Sequence, residues 1–432
     1  MKLKHRISAI GCAVVMIMML SVSAFASVDL NAAFTIESNA ISGWPQAGDV
    51  VEAVGAVMEA ETGTLVYSKG ADALRYPASI TKLMTLLVAV ENSSLTDQVT
   101  FTETMLRDIA SDSSNIGMQV GEIMSMEACL NALMIQSANE VATQIAEYVG
   151  GTEQNFVNMM NEKAAELGCK NTHFNNANGL PDENHYTTAR DMALIVRAGL
   201  KNPTFRQIVG STDYTIPATN LNPQARAMHT HHPLLAKEST LYYEGVIGGK
   251  TGNSAASGKT LVTIAERNGT TYIAVLMYGP DMNTISVDCA NILNYAFGNF
   301  TKVEVPGGYA VVPSQMTVSD LRTEDTEKGN TIIRRYYLGN YRVGTGKEIK
   351  ATPTPTVSPT PIATPTTIEQ PQSDISDAMF GRDETENSKI TNPFGSPDEW
   401  SSMSKILLKV MIGMAAVLVV LIVVMIIKDH RD

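Results

Sequence analysis

The sequence predicts an α+β fold in which one antiparallel sheet is assembled from distant parts of the chain and helices pack on it. Three observations carry that prediction. Strand pairs with clear turn signals stand near both ends of residues 50–300, in GAVMEAETGTLVYSK and KTLVTIAERNGTTYIAVLMYG. Between them lie segments with helical apolar spacing. Glycines sit at or just past several helix ends, at Gly150, Gly168 and Gly199.

Each element follows from local chemistry. Residues 1–26 read as an export signal. Lys2, Lys4, His5 and Arg6 precede an apolar run from Ile7, and Ala24-Phe25-Ala26 supplies a small-x-small cleavage site; an uncleaved anchor is the other reading. The first strand pair turns at Glu61-Thr62-Gly63. Helices are expected over 80–90, 126–136, 140–149, 152–167 and 188–200, the last opened by a Thr188/Asp191 box. The second strand pair turns on Asn268-Gly269, the strongest two-residue hairpin signal.

Residues 301–348 form a small strand-rich appendage, and 349–404 form a Pro/Thr-rich, then mildly acidic stalk expected to be disordered. Its stretch from Thr352 to Thr366, in polyproline conformation, reaches roughly 45 Å. Residues 406–427 are long and apolar enough to be a transmembrane helix, with Lys409 snorkelling. An export signal ahead of such a helix implies a single-pass membrane protein with its body on the extracytoplasmic side.

Bulk properties narrow the function. A net charge of −12 over 432 residues argues against nucleic acid, which needs a basic face. There is no glycine-rich phosphate loop and no zinc-type ligand spacing, so neither cofactor nor metal is expected. Cys129, Cys169 and Cys289 are too few and scattered for a disulfide framework and read as buried thiols.

Chemistry concentrates in three short motifs. In RYPASITKLMTLLVAVENSS, Ser79 and Lys82 are three residues apart at the start of an apolar helix. Burial and the positive end of the helix both favour a neutral lysine amine, which can take a hydroxyl's proton. A helix cap with a snorkelling lysine is the plainer alternative. Ser402 and Lys405 repeat the spacing beside the membrane segment, where it is incidental. Ser137-Ala138-Asn139 lies between two apolar helices, whereas Ser113-Ser114-Asn115 repeats its pattern in a poorer setting. Lys250-Thr251-Gly252 occurs once, in YEGVIGGKTGNSAASG, where glycines allow close backbone approach to a ligand. His229, His231 and His232 lack partners at metal-binding spacing and read as a surface loop; His173 and His185 settle loops.

The three motifs in this order, with SANEVATQIAEYVGGTEQNFVNMMNEKAAELGCKNTHFNNANGLPDENHYTTARDMALIVRAGL between the second and third, closely resemble the serine-type D-Ala-D-Ala carboxypeptidases. These are the low-molecular-mass penicillin-binding proteins of peptidase family S11. The resemblance covers residues 50–300 and implies a β-lactamase/transpeptidase-like domain. It implies Ser79 as acylated nucleophile, Lys82 as its base and Ser137 as proton relay to the leaving amine. It assigns Asn139 to the substrate backbone, Lys250 and Thr251 to the terminal carboxylate, and the N–H groups of Ser79 and Asn253, just past Gly252, to the oxyanion hole. The implied substrates are peptidoglycan stem peptides ending in D-Ala-D-Ala, with β-lactams as covalent inhibitors. Two departures stand out. No basic residue follows the last long strand, in GPDMNTISVDCANIL, where the family commonly places an arginine, and the appendage is shorter than usual. A class A β-lactamase is disfavoured by the lack of a Glu-x-x-Leu-Asn motif between Ser137 and Lys250. A tethered, non-hydrolytic receptor for wall peptides or β-lactams is the alternative outside enzymology.

Overall fold

The computed structural model describes residues 28–30, 32–109 and 113–350. The residues read as an export signal and as an apolar C-terminal helix lie outside these, as does the expected stalk beyond residue 350. Among the described residues, no helix is long and apolar enough to cross a membrane.

In chain order, β1 (Val54–Glu59) and β2 (Leu65–Lys69) form the first hairpin, and a 3-10 turn over Ala78–Thr81 leads into α1 (Lys82–Asn92). A short ribbon of β3 (Gln98–Thr100) and β4 (Ile123–Ser125) precedes α2 (Met126–Ile135), α3 (Asn139–Gly150) and α4 (Glu153–Glu166). Next come α5 (Ala189–Gly199), α6 (Pro203–Val209) and the ribbon of β5 (Asp213–Ile216) with β6 (Arg226–His229). Three long strands follow, β7 (Val246–Ser254), β8 (Gly258–Arg267) and β9 (Thr270–Gly279), and then α7 (Met282–Asn299). Strands β10 (Phe300–Val305), β11 (Gly308–Pro313), β12 (Arg322–Lys328), β13 (Thr331–Leu338) and β14 (Tyr341–Ile349) complete the described chain.

The main sheet runs β2-β1-β9-β8-β7, every pair antiparallel. The two sequence hairpins therefore join through β1 and β9, and β7 is left at an edge. The β8–β9 turn has positive φ at both Asn268 (48°) and Gly269 (72°), the geometry that Asn-Gly favours. Strand residues alternate between two cores because strand side chains alternate between faces. Val54, Ala56, Met58, Val262, Ile264, Ile273 and Val275 face the core shared with α1 to α5. Val57, Leu261, Tyr272, Ala274 and Leu276 face the other core, beneath α7 and the second sheet.

Three findings amend the sequence reading. The first expected helix begins later, with Ser79 on the 3-10 turn and the α-helix opening at Lys82. Helices α6 and α7 were not expected. Yet α7 buries Ile285, Cys289, Ile292, Leu293 and Ala296, a helical spacing present in the sequence. The appendage is a five-stranded antiparallel sheet, ordered β10-β11-β14-β13-β12. It is tied to the body through Trp44, which packs on Phe300 and Tyr341 and donates its indole N–H to the Val66 carbonyl at 2.9 Å.

Candidate active site

The site starts from a strained turn. Ala78 has φ of +50°, outside the region an L-residue prefers, and the turn is held from three sides. Thr260 Oγ1 on β8 donates to the Pro77 carbonyl at 2.9 Å. Gly179 lies so close beneath that a Cβ there would stand 2.0 Å from the Ala78 oxygen. His185 Nδ1 accepts the Asn175 N–H at 3.0 Å, so its Nε2 carries the proton and donates to Thr81 Oγ1 at 2.8 Å. Burial depresses that imidazole to about 3, consistent with its neutral role.

Lys82 is fully buried, and its Nζ has three oxygen neighbours. These are the Asn178 carbonyl at 2.6 Å, Asn139 Oδ1 at 2.7 Å and Ser79 Oγ at 3.1 Å. The two amide carbonyl oxygens can only accept, so they take two N–H bonds and leave the third direction for the hydroxyl. Desolvation, followed by repulsion from Lys250, holds the amine well below a lysine's ordinary range, against the opposing pull of Glu140 and Asp108. A neutral amine in this place directs its lone pair at Ser79 Oγ.

The second motif is placed by α2 and α3. Between those helices, Ser137 adopts φ of +58°, and its buried Oγ has no hydrogen-bond partner among the described residues. A left-handed serine with an unpaired buried hydroxyl carries a cost in this state, which marks it as a candidate functional residue. Asn139 opens α3, its N–H bonded to the Ser114 carbonyl at 2.8 Å. Beside it, buried Glu140 accepts the Ile116 N–H at 2.6 Å. Together these bonds draw the 113–116 loop against the site.

The third motif lies on edge strand β7. Lys250 is buried, its Nζ donating to the Thr251 carbonyl at 3.0 Å, and desolvation lowers it to about 7. A Cβ on Gly252 would stand 2.3 Å from Thr260 Oγ1 and 3.0 Å from the Ser79 nitrogen, so only glycine lets β7 approach the Ser79 backbone this closely.

A cleft of about 470 Å³ unites the motifs. Its wall includes Ser79, Ser137, Asn139, Thr251, Gly252 and Asn253, while Lys82 and Lys250 sit behind it. The wall also includes residues to which the sequence reading gave no role. Ser113 and Ser114, set aside there as a duplicate motif, line it, as do Asn178, Gly179 and Met282. The only signal for the last group was its place inside NNANGLP and the stretch after β9. The three clustered histidines separate. His229 is exposed and pairs with Asp213, and His231 lines the cleft. His232 is buried with Nε2 3.0 Å from the Val262 carbonyl, which corrects its reading as a surface residue. His173 and His185 do hold loops. Cys129 and Cys289 are buried free thiols, and Cys169 is partly buried.

Comparison with known proteins accords with this geometry. The model of the peptidase S11 family, D-alanyl-D-alanine carboxypeptidase, matches residues 45–281. The D-alanyl-D-alanine carboxypeptidase DacF of Bacillus subtilis is 32% identical over 256 residues, covering 58% of this chain and 63% of that protein, less than two thirds of its length. Among solved structures, a Mycobacterium tuberculosis D-alanyl-D-alanine carboxypeptidase superposes with a TM-score of 0.55 at 27% identity, covering 60% of this chain and 95% of the other. A Streptomyces DD-transpeptidase gives 0.55 at 29% identity, covering 59% and 100%.

Proposed function

The chain belongs to the peptidase S11 family of D-alanyl-D-alanine carboxypeptidases, and from that premise we propose that it removes the terminal D-alanine from peptidoglycan stem peptides through an acyl-enzyme on Ser79. The observation that carries this reading is the desolvated Lys82 amine 3.1 Å from Ser79 Oγ, with its other two hydrogen bonds already assigned. The amine takes the hydroxyl proton as Oγ attacks the carbonyl of the penultimate D-alanine. The oxyanion is received by the N–H groups of Ser79 and Asn253; one such contact is typically worth about 3–4 kcal/mol.

Collapse of the tetrahedral intermediate breaks the peptide bond. Ser137, whose hydroxyl has no competing partner among the described residues, passes the proton from Lys82 to the departing amine. Asn139 steadies the substrate backbone, and Lys250 with Thr251 receives the terminal carboxylate. Water then attacks the ester with Lys82 again as base, returning the proton to Ser79. An amine in place of that water gives transpeptidation, a reading favoured by the likeness to a DD-transpeptidase. β-Lactams would acylate the same serine.

The proposed setting is the outer face of a bacterial membrane, supported by the signal-like residues 1–26 and the apolar run 406–427. Truncation after residue 404 should move the protein from the membrane to the soluble fraction. For the chemistry, Ser79→Ala should abolish covalent labelling by fluorescent penicillin and D-alanine release while leaving the circular dichroism spectrum intact. Persistent labelling would refute the nucleophile. Labelling of the native chain without any D-alanine release would favour a receptor.

A further inference from the structure

Among the described residues that line the catalytic cleft, His231 is the one whose side chain can carry a charge. The described wall also offers uncharged Ser113, Ser114, Ser137 and Asn139, and none of its described residues is an arginine. Glu140, behind Asn139, is engaged by the Ile116 N–H. The charged group that His231 senses is Lys250 on β7.

His231 is also held in place, unlike an ordinary exposed histidine. On one side the His229 carbonyl accepts Gln136 Nε2 at 3.0 Å, and Gln136 directly precedes Ser137. On the other, buried His232 is fixed to the Val262 carbonyl, and its own carbonyl accepts the Leu235 and Ala236 N–H groups at 3.1 Å. The backbone is therefore anchored on both flanks while the imidazole remains exposed in the cleft.

Resting on the carboxypeptidase reading, we infer that His231 is a substrate-binding residue that holds, together with Lys250 and Thr251, the free α-carboxylate at the peptide's C-terminus. Partial burial, and after it repulsion from Lys250, keep the free imidazole below its ordinary range. An arriving carboxylate offsets both, so binding draws a proton onto the ring. Lys250, which titrates near 7, gives a pH slope of the same sign. The two contributions are separated by mutation.

The test measures kcat and KM for D-alanine release from an Nα-acylated D-Ala-D-Ala peptide between pH 5.5 and 8.5, using the full chain. With His231→Gln, KM should rise about fivefold at pH 5.5 and less than twofold at pH 8.5, with kcat within twofold throughout. His231→Arg should keep KM low and make it flatter with pH than in the native chain. A KM within twofold of native across the range in His231→Gln, or a rise equal at both pH values, overturns the assignment. So does a fall in kcat with KM unchanged. If the native chain releases no D-alanine, the carboxypeptidase reading itself has failed, a result distinguishable from any of these.

Discussion

At the scale of single residues, the site holds conformations that folding alone would avoid. Ser137 and Ala78 both have left-handed backbones, which typically cost about 1–3 kcal/mol each in an L-residue. The unused Ser137 hydroxyl gives that strain a functional reading. Ser137→Gly should remove the strain, partly offset by glycine's greater freedom when unfolded, for a net gain of about 1 kcal/mol. Differential scanning calorimetry should register a melting point higher by a few degrees. D-alanine release should fall by about 10²-fold if the hydroxyl relays a proton. An unchanged release rate would remove Ser137 from the proton path.

At the scale of elements, the turn that carries Ser79 depends on the loop beneath it. Gly179 has φ of +89°, and a Cβ there would overlap the Ala78 carbonyl, while the neighbouring Asn178 carbonyl is the shortest contact of Lys82. Gly179→Ala should therefore cost about 2–4 kcal/mol and slow acylation by penicillin by at least an order of magnitude. Gly151 is a control, with φ of +71° and nothing within 4 Å of its Cβ position. Gly151→Ala should cost about 1 kcal/mol and leave acylation untouched. Equal acylation rates in the two variants would show that the loop does not position the lysine.

The same elements carry a pH dependence. Buried His185 and His232 are depressed to about 3 and about 4, below the ordinary 6.5 of the unfolded chain. The unfolded state therefore binds more protons, and stability present above pH 6.5 is lost as pH falls towards those values. Each imidazole contributes up to about 1.4 kcal/mol per pH unit. In urea titrations between pH 7 and 4.5, His185→Asn should lose stability less steeply than the native chain. An identical slope would contradict a neutral buried His185.

At the scale of the whole molecule, the main sheet separates two cores. One supports the site through α1 to α5, and the other joins α7 to the second sheet. Trp44 is 4% exposed and spans this second core, so Trp44→Ala should cost about 3–5 kcal/mol. Because it lies in the core away from the helices that bear Ser79 and Lys82, the molecules that remain folded should acylate at the native rate. A slower rate per folded molecule would mean that the appended sheet helps shape the cleft.

Much of this was legible in the sequence because its signals are local. Asn268-Gly269 needs only its own backbone preferences to make a turn, and alternating apolar residues need only a pleat. The three motifs were readable because serine, lysine and glycine at those spacings have few chemical uses together. What the sequence could not state is distance across the fold. The Asn178 carbonyl enters the site through the approach of residues 96 positions apart. His231 and His232 differ in burial only because β8 covers one and the cleft receives the other. A lysine's charge and a histidine's role depend on what excludes water around them, and only the packed chain decides that.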